Sequence, residues 1–521
     1  MIYDAIGVGA GVNGLAAAVH LGAKGWTVAV VERNGVLGGA VKTEELTLPG
    51  FRHDVYATNL GMFAGSPFLE RHRELLTRHG LAFVSTDQAF ASAFEDGTWL
   101  GVERDLEATA ARIGALSSAD ERRWRELVAG FTDDAPHLFA LLGCPVPSLQ
   151  AIRALWRAWR YKGTGFLADT ARLYLSSSRD WLDARFENPK LKAMMAVWGL
   201  HLDLAPDIAG GAAFPYLESM IDQLNGLSLG QGGADTIVKA MRGAIEAQGG
   251  TIMTNAEVER VMVDNGRVTG VRLADGRELR ARRAVIANLH PRQLFGRLVE
   301  NGLQDHRCAA AADLRSGPGT MMIHLAVSDL PNWPDPALRA FGYVHLAPSL
   351  GHMARAYEQS LDGLLPAEPV IVVGQSTAVD PTRAPDGKHV LWIKARTLPA
   401  RIAGDAAGTI EGDDWDAVKE LYAERVLDTI ERYAPGLREK ILGRCVLSPV
   451  DIEKDNPNLV GGDQVAGSYH LDQTLLFRPA FGLTRYATPV RGLYMAGAST
   501  WPGAGTGAAP GFLCARMLAG A

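Results

Sequence analysis

A run of closely spaced glycines between two apolar segments constrains this chain more than any other feature. It reads Ile6-Gly7-Val8-Gly9-Ala10-Gly11-Val12-Asn13-Gly14, continues through an alanine-rich stretch to about Ala23, and reaches Val28-Ala29-Val30-Val31-Glu32. Strand, glycine turn, helix, strand and acid fall in the order and spacing of a βαβ unit that holds an ADP group. Gly9 permits the tight turn out of the first strand. Gly11 lets the backbone approach a pyrophosphate, and Gly14 lets the helix lie close on the strand. The phosphates then meet free N–H groups at the positive end of the helix dipole. Glu32, ending the second strand, is placed to accept hydrogen bonds from a ribose.

A second glycine-rich element stands far along the chain. The segment from Gly492 to Met495 is an apolar strand that runs into Gly497. The run Gly503-Ala504-Gly505-Thr506-Gly507-Ala508-Ala509-Pro510-Gly511 then opens a final helix. A flexible linker does not sit between an apolar strand and an apolar helix. Helix-start N–H groups aimed at a flavin ring would stabilise the charge of its reduced form. An enzyme using NAD(P) alone would have no need of this second element.

The remaining organisation follows from local signals. Residues 1–60 read as the βαβ unit plus a loop carrying Leu37-Gly38-Gly39-Ala40, and residues 65–215 as mainly helical, with segments 119–129 and 148–161. A helix is expected over 235–248 and a short strand over 251–255. Three further strands are joined at Asp264-Asn265-Gly266 and Ala274-Asp275-Gly276, which are strong hairpin signals. Segments 321–327, 370–374 and 389–394 read as strands of a second, mixed sheet, with a helix over 415–434. The fold expected is α/β: a discontinuous Rossmann-like FAD-binding domain of glutathione-reductase type with a three-stranded meander, plus a mixed-sheet and helical substrate domain. Its pieces are 1–64, 215–299 and 446–521 for the cofactor domain, and 65–214 and 300–445 for the substrate domain.

Bulk composition closes off several classes. The net charge of −6 gives no footprint for nucleic acid. Cys144, Cys308, Cys445 and Cys514 are far apart with no CxxC pair, which argues against a disulfide framework, a zinc site or a dithiol centre. No metal is expected. No apolar run reaches the roughly 18 residues of a spanning helix. The first strand begins almost at Met1 and leaves no room for a targeting leader, so a cytoplasmic setting is expected. The segment Ile152-Arg153-Ala154-Leu155-Trp156-Arg157-Ala158-Trp159-Arg160-Tyr161-Lys162 is a basic amphipathic helix, the kind that either packs on its own core or touches a membrane peripherally.

Taken together, the two glycine elements resemble the phytoene-desaturase branch of the FAD-dependent amine-oxidase superfamily. Gly230-Gln231-Gly232-Gly233-Ala234, the stretch Asp380-Pro381-Thr382-Arg383-Ala384-Pro385-Asp386-Gly387-Lys388-His389, Leu471-Asp472-Gln473 and Arg478-Pro479 add to the likeness, in particular to the phytoene-dehydrogenase-like proteins labelled pyridine nucleotide-disulphide oxidoreductase domain-containing. The resemblance implies FAD as cofactor. Gly9, Ala10, Gly11 and Gly14 would hold its pyrophosphate, Glu32 its ribose and the backbone at Val258 its adenine, while Gly497, Ala498, Gly507 and Ala508 would hold the ribityl-flavin end. Arg33, Gly38 and Gly39 belong to the same expected set. Two departures stand out: Ala40 follows the glycine doublet where many relatives carry arginine, and Trp501 stands where many place histidine.

FAD accepts a hydride at N5, and the protein must position the donor carbon and manage protons. Base candidates are His201, Asp203 and Asp207. Lys394 enters by resemblance to the lysine of amine oxidases; on residue pattern alone it is a solvent-facing side chain on an edge strand. Trp501 and Thr506 are expected to line the pocket, because the cofactor motif carries them there. The leading expectation is a dehydrogenase or desaturase acting on a hydrophobic substrate, with oxygen or a quinone as acceptor. Amine oxidation, isomerisation of a polyene by reduced flavin, and a non-catalytic protein-escort module stay open as alternatives. Oligomeric state is not legible.

Overall fold

The structure is a computed structural model, which describes residues 1–520; Ala521, the last residue of the expected 446–521 segment, lies outside the described residues. Two seven-stranded sheets organise the chain. In the first, β1 (Ile2–Val8) lies at the centre, parallel to β2 (Val28–Val31) on one side and to strand Glu278–Ala287 on the other. Strand Thr251–Met253 extends the sheet beyond β2. The first half of Glu278–Ala287 pairs with the antiparallel meander Val258–Asp264 and Arg267–Leu273, and its last three residues pair with Leu493–Met495. Both ends of the chain therefore meet in one sheet.

Helix α1 (Val12–Ala23) crosses from β1 to β2 and buries an almost unbroken apolar run, Leu15 to Leu21. Helix Thr236–Ala247 and the C-terminal helix Ala509–Ala519 pack against it. The packing is close enough to dictate residue type. A Cβ on Gly511 would stand 1.8 Å from the Asn13 carbonyl oxygen, and one on Gly14 would stand 2.3 Å from the Gly9 carbonyl oxygen.

The second sheet runs in the order Ile441–Leu447, Gly319–Val327, His389–Leu398, Val370–Gly374, Tyr343–Leu346, Gln88–Ala93, Trp99–Glu103. Alternation along its strands sends two side-chain sets to opposite faces. Leu391, Ile393 and Ala395 pack on helix Trp415–Tyr433, whereas Tyr343, Trp392 and Met322 face the helical segments Pro189–Ala196 and Ala213–Asn225.

Two expectations need correction. Residues 65–215 are mainly helical, opening with helix Pro67–Arg78, but they also contain three strands outside that expectation. Strands Phe83–Thr86, Gln88–Ala93 and Trp99–Glu103 form there, stabilised by pairing with partners as distant as Tyr343 and Gly230, which a local pattern does not reveal. Helix Ala213–Asn225, assigned to the cofactor side by the boundary at 215, packs within the core of the helical segment through Tyr216, Leu217 and Met220.

The motifs that carried the resemblance turn out to be mutual clamps. The buried guanidinium of Arg383 pairs with Asp54 and, at 3.2 Å, with Asp380, and it donates to the Gly230 carbonyl at 2.7 Å. Asp380 in turn accepts from the Gly232 N–H at 2.6 Å. Arg478, fully buried, donates to the carbonyls of Ser468 (2.9 Å) and Ala498 (3.2 Å), fixing the turn after Gly497.

Candidate active site

A single large cavity of about 1420 Å³ runs from the glycine turn of the first sheet to the inner face of the second. That exceeds the roughly 300–1,000 Å³ of an ordinary small-molecule site and leaves room for a long cofactor and a second molecule. Backbone lines one end: Gly9, Gly11, Glu32, Arg33, Gly38, Gly39, Val258, Gly497, Ala498 and Gly507. Ala10, Gly14 and Ala508 stand just behind this wall. The Ala10 N–H donates to Glu32 Oε2 at 2.9 Å, which holds the carboxylate over the turn, and Asn34 N–H binds its other oxygen at 2.9 Å. Gly38 N–H donates to the Ala10 carbonyl at 2.9 Å, so the glycine doublet lies on the turn itself. Ala508 is fully buried with φ of 59° and precedes the C-terminal helix, whose first residues Ala509 and Pro510 do face the cavity. Lys42, two residues beyond Ala40, also reaches the wall and is paired with Asp455 at 2.7 Å. These residues fit FAD: glycines are placed where a Cβ would strike backbone, and an acid stands at the end of β2.

Side chains line the other end: Trp198, His201, Glu218, Asp222, Tyr343, Trp392, Lys394 and Arg396. Lys394 is on a central strand, not an edge, paired on both sides and only 6% exposed. Burial, followed by the charge of Arg396, pulls its ammonium well below the usual lysine range. His201 is half-buried with its Nε2 sealed from solvent, and desolvation followed by Arg396 and Lys394 holds its imidazole well below the ordinary value, in the neutral form. The other two base candidates do not reach the cavity. Asp203 accepts from the Tyr357 hydroxyl at 2.8 Å and sits 3.4 Å from His470; desolvation raises it to about 6. Asp207 is exposed and paired with Arg179.

Trp501 and Thr506 both face the cavity. The Trp501 indole donates to the Cys144 carbonyl at 2.9 Å, tying the flavin-side loop to the link between helices Ser118–Leu142 and Leu149–Leu175. The Thr506 hydroxyl donates to the Asn59 carbonyl at 3.3 Å.

Sequence reasoning missed Glu218 and Asp222. They lie one turn apart on helix Ala213–Asn225, on a face they share with Phe214, Leu217 and Ile221, and two acids within that apolar stripe were the available signal. Both are buried, and desolvation raises both, with Glu218 adding to the shift on Asp222. Asp222 is thus held well above the ordinary carboxylate range, and Glu218, at about 7, is divided between its two forms near neutral pH. Arg396 was also missed, although it alternates with Trp392 and Lys394 along one strand.

The amphipathic helix forms within Leu149–Leu175, interrupted at Gly163. Its apolar face is not packed on the core: Leu149, Ile152, Trp156 and Trp159 are exposed, and Leu155 lies at the cavity mouth with Leu175 and Leu475. Among the described residues no helix is long and apolar enough to cross a membrane, and no cluster of three metal-ligating side chains occurs.

The family model described as flavin containing amine oxidoreductase matches residues 13–510. The chain belongs to that family. It is 30% identical to rat (Rattus norvegicus) pyridine nucleotide-disulfide oxidoreductase domain-containing protein 2, over 99% of this chain and 93% of the relative. A phytoene desaturase (neurosporene-forming) of Cereibacter sphaeroides is 26% identical over 96% of this chain and 91% of its own length. Among solved structures, an oxidoreductase from Methanosarcina mazei superposes with a TM-score of 0.65 at 18% identity, covering 99% of this chain and all of that one. The cofactor is thus FAD, and the protein is an FAD-dependent oxidoreductase.

Proposed function

We propose that this protein is a dehydrogenase or desaturase that removes hydrogen from an apolar organic molecule. The observation that supports it is the composition of the cavity. One end is backbone and fits FAD; the passage to solvent is lined by Leu155, Leu175, Leu471 and Leu475; and a buried carboxyl pair of raised basicity lies at the other end. FAD, when bound, supplies the hydride acceptor at N5.

The chain's own residues do the rest. Gly9, Gly11 and the start of α1 receive the pyrophosphate, Glu32 the ribose, and the Gly497–Gly507 loop the flavin end. Trp198, Tyr343 and Trp392 press flat apolar surface on the substrate; Tyr343 and Trp392 are themselves stacked, with centroids 5.7 Å apart. Trp501 walls the pocket and holds the helical layer closed. Glu218, at about 7 and so partly ionised near neutral pH, is the base that takes the proton leaving the carbon next to the hydride donor, and Asp222 one turn away, raised further by the Glu218 charge, is its protonated neighbour. The relative named a phytoene desaturase acts on a polyene precursor by the words of its name, which supports an isoprenoid-like chain as substrate.

The decisive experiment is anaerobic mixing of purified yellow protein with polyenes, saturated lipids and amines while following the flavin bands. Bleaching by a polyene or lipid chain, with a new double bond in the product, is the expected result. Bleaching by amines alone would replace the reading with amine oxidation. Turnover of a polyene isomer by pre-reduced protein without net bleaching would replace it with isomerisation.

A further inference from the structure

Two basic side chains sit at the buried end of the chamber with no ion-pair partner among the described residues. Lys394 and Arg396 alternate on strand His389–Leu398 and so share one face, beyond Trp392. Each is 6% exposed and each lines the cavity. Their cross-strand neighbours are apolar: Met322 and Val372 flank Lys394, and Val370 stands beside Arg396. Among the described residues the Lys394 ammonium has no carboxylate within ion-pair distance and no hydrogen-bond partner; the Trp392 ring lies 5.6 Å from it. Arg396 spends one nitrogen on the Leu200 carbonyl at 2.9 Å and leaves Nε with no partner.

The surrounding polar groups point the same way. His201 Nε2 and both ring nitrogens of His345 are buried without partners, and the two rings lie 6.0 Å apart, centroid to centroid. The acid nearest in charge to both side chains, Asp463, is committed elsewhere, accepting from the N–H groups of Gly317 (3.0 Å), Val465 (2.9 Å) and Gly467 (2.9 Å). Glu218 and Asp222 also line the chamber but make no ion pair with Lys394 or Arg396 among the described residues. Burying two basic side chains with unpaired donors is costly, and burial accordingly lowers the Lys394 ammonium; a bound carboxylate supplies the charge and the lone pairs that complete both.

We propose that Lys394 and Arg396 form a binding site for a carboxylate, so that the substrate is an apolar chain ending in an acid group and not a plain hydrocarbon. The acid seats at the deep end of the cavity, and the tail extends past the aromatic wall toward Leu155 and Leu475. This rests on the reading of the cavity as a site for an apolar substrate and specifies which end of that substrate is polar.

The test uses the FAD-loaded protein and three probes of equal chain length: oleate, oleyl alcohol and methyl oleate. Binding is read by quenching of tryptophan fluorescence, since Trp198 and Trp392 line the site. Oleate is expected to bind at least ~10-fold tighter than the alcohol or ester, the effect of one good charged contact. Lys394→Met and Arg396→Gln are each expected to remove that preference while leaving the alcohol unchanged. Met is a fitting replacement between Met322 and Val372, and Arg396→Lys should retain the preference if Arg396→Gln folds poorly. Equal binding of acid and alcohol overturns the carboxylate site alone. A preference that survives both neutral variants, with only the flavin spectrum altered, overturns it in favour of a role toward the cofactor. Failure of all three probes to bind overturns it together with the reading on which it rests.

Discussion

The two ends of the cavity are built from different materials. The cofactor end is made of backbone, with glycines standing where any Cβ would strike the chain, as at Gly14 and Gly511. The substrate end is made of side chains, and its polar members are buried basic and acidic groups from two elements far apart in sequence: strand His389–Leu398 and helix Ala213–Asn225. A backbone site tolerates almost no substitution and holds one kind of ligand. A side-chain site can be re-specified residue by residue while the fold stays intact, and substrate choice within a family therefore resides there.

The sharpest way to break this comparison is to neutralise the substrate end chemically. Replacing Glu218 and Asp222 together by Gln and Asn keeps shape and hydrogen-bonding capacity but removes the proton acceptor. The rate of flavin bleaching by the best substrate of the panel should fall about 10²–10⁴-fold, while the yellow colour is retained. Unchanged rates in stopped-flow would take the carboxyl pair out of the chemistry.

Next in size is a change at the cofactor end. Gly14→Val forces a side chain into a space where a Cβ would already be 2.3 Å from the Gly9 carbonyl oxygen. Overpacking of this kind costs about 3 kcal/mol, which corresponds to roughly 100-fold weaker FAD retention. Absorbance at the flavin bands after gel filtration measures it, and a variant that stays fully yellow would show that the helix start is not where the cofactor is held.

A smaller effect separates the two ends by pH. Glu218 is raised to about 7 in the folded chain from an ordinary value of 4.5, chiefly by desolvation. Its contribution to stability is complete below the unfolded value and is lost as pH rises through the folded one. Wild-type protein should therefore melt at progressively lower temperature between about pH 5 and pH 8, with the loss amounting to at most about 3 kcal/mol. Glu218→Gln should flatten that part of the curve. Parallel melting curves for the two proteins would contradict the assignment of a buried, protonated Glu218.

The contrast between the ends also explains how much was legible in advance. The βαβ unit, the meander turns at Asn265-Gly266 and Asp275-Gly276 and the C-terminal glycine run are local patterns in which spacing along the chain is spacing in space, so they could be read directly. Lys394 was weighed as a surface residue on an edge strand, because nothing local says that Gly319–Val327 and Val370–Gly374 close over it on both sides. Asp203 and Asp207 share the neighbourhood of His201 in sequence but not in space: one is claimed by Tyr357 and His470, the other by Arg179 at the surface.

The sequence by itself determined the two glycine-rich turns that line one end of the cavity, because close backbone approach demands residues without a Cβ and leaves that demand visible. Only the tertiary structure decided what faces the cofactor from the other side. Glu218, Asp222, Lys394 and Arg396 acquire their chemistry from burial and from one another's proximity, and neither desolvation nor distance is written along the chain.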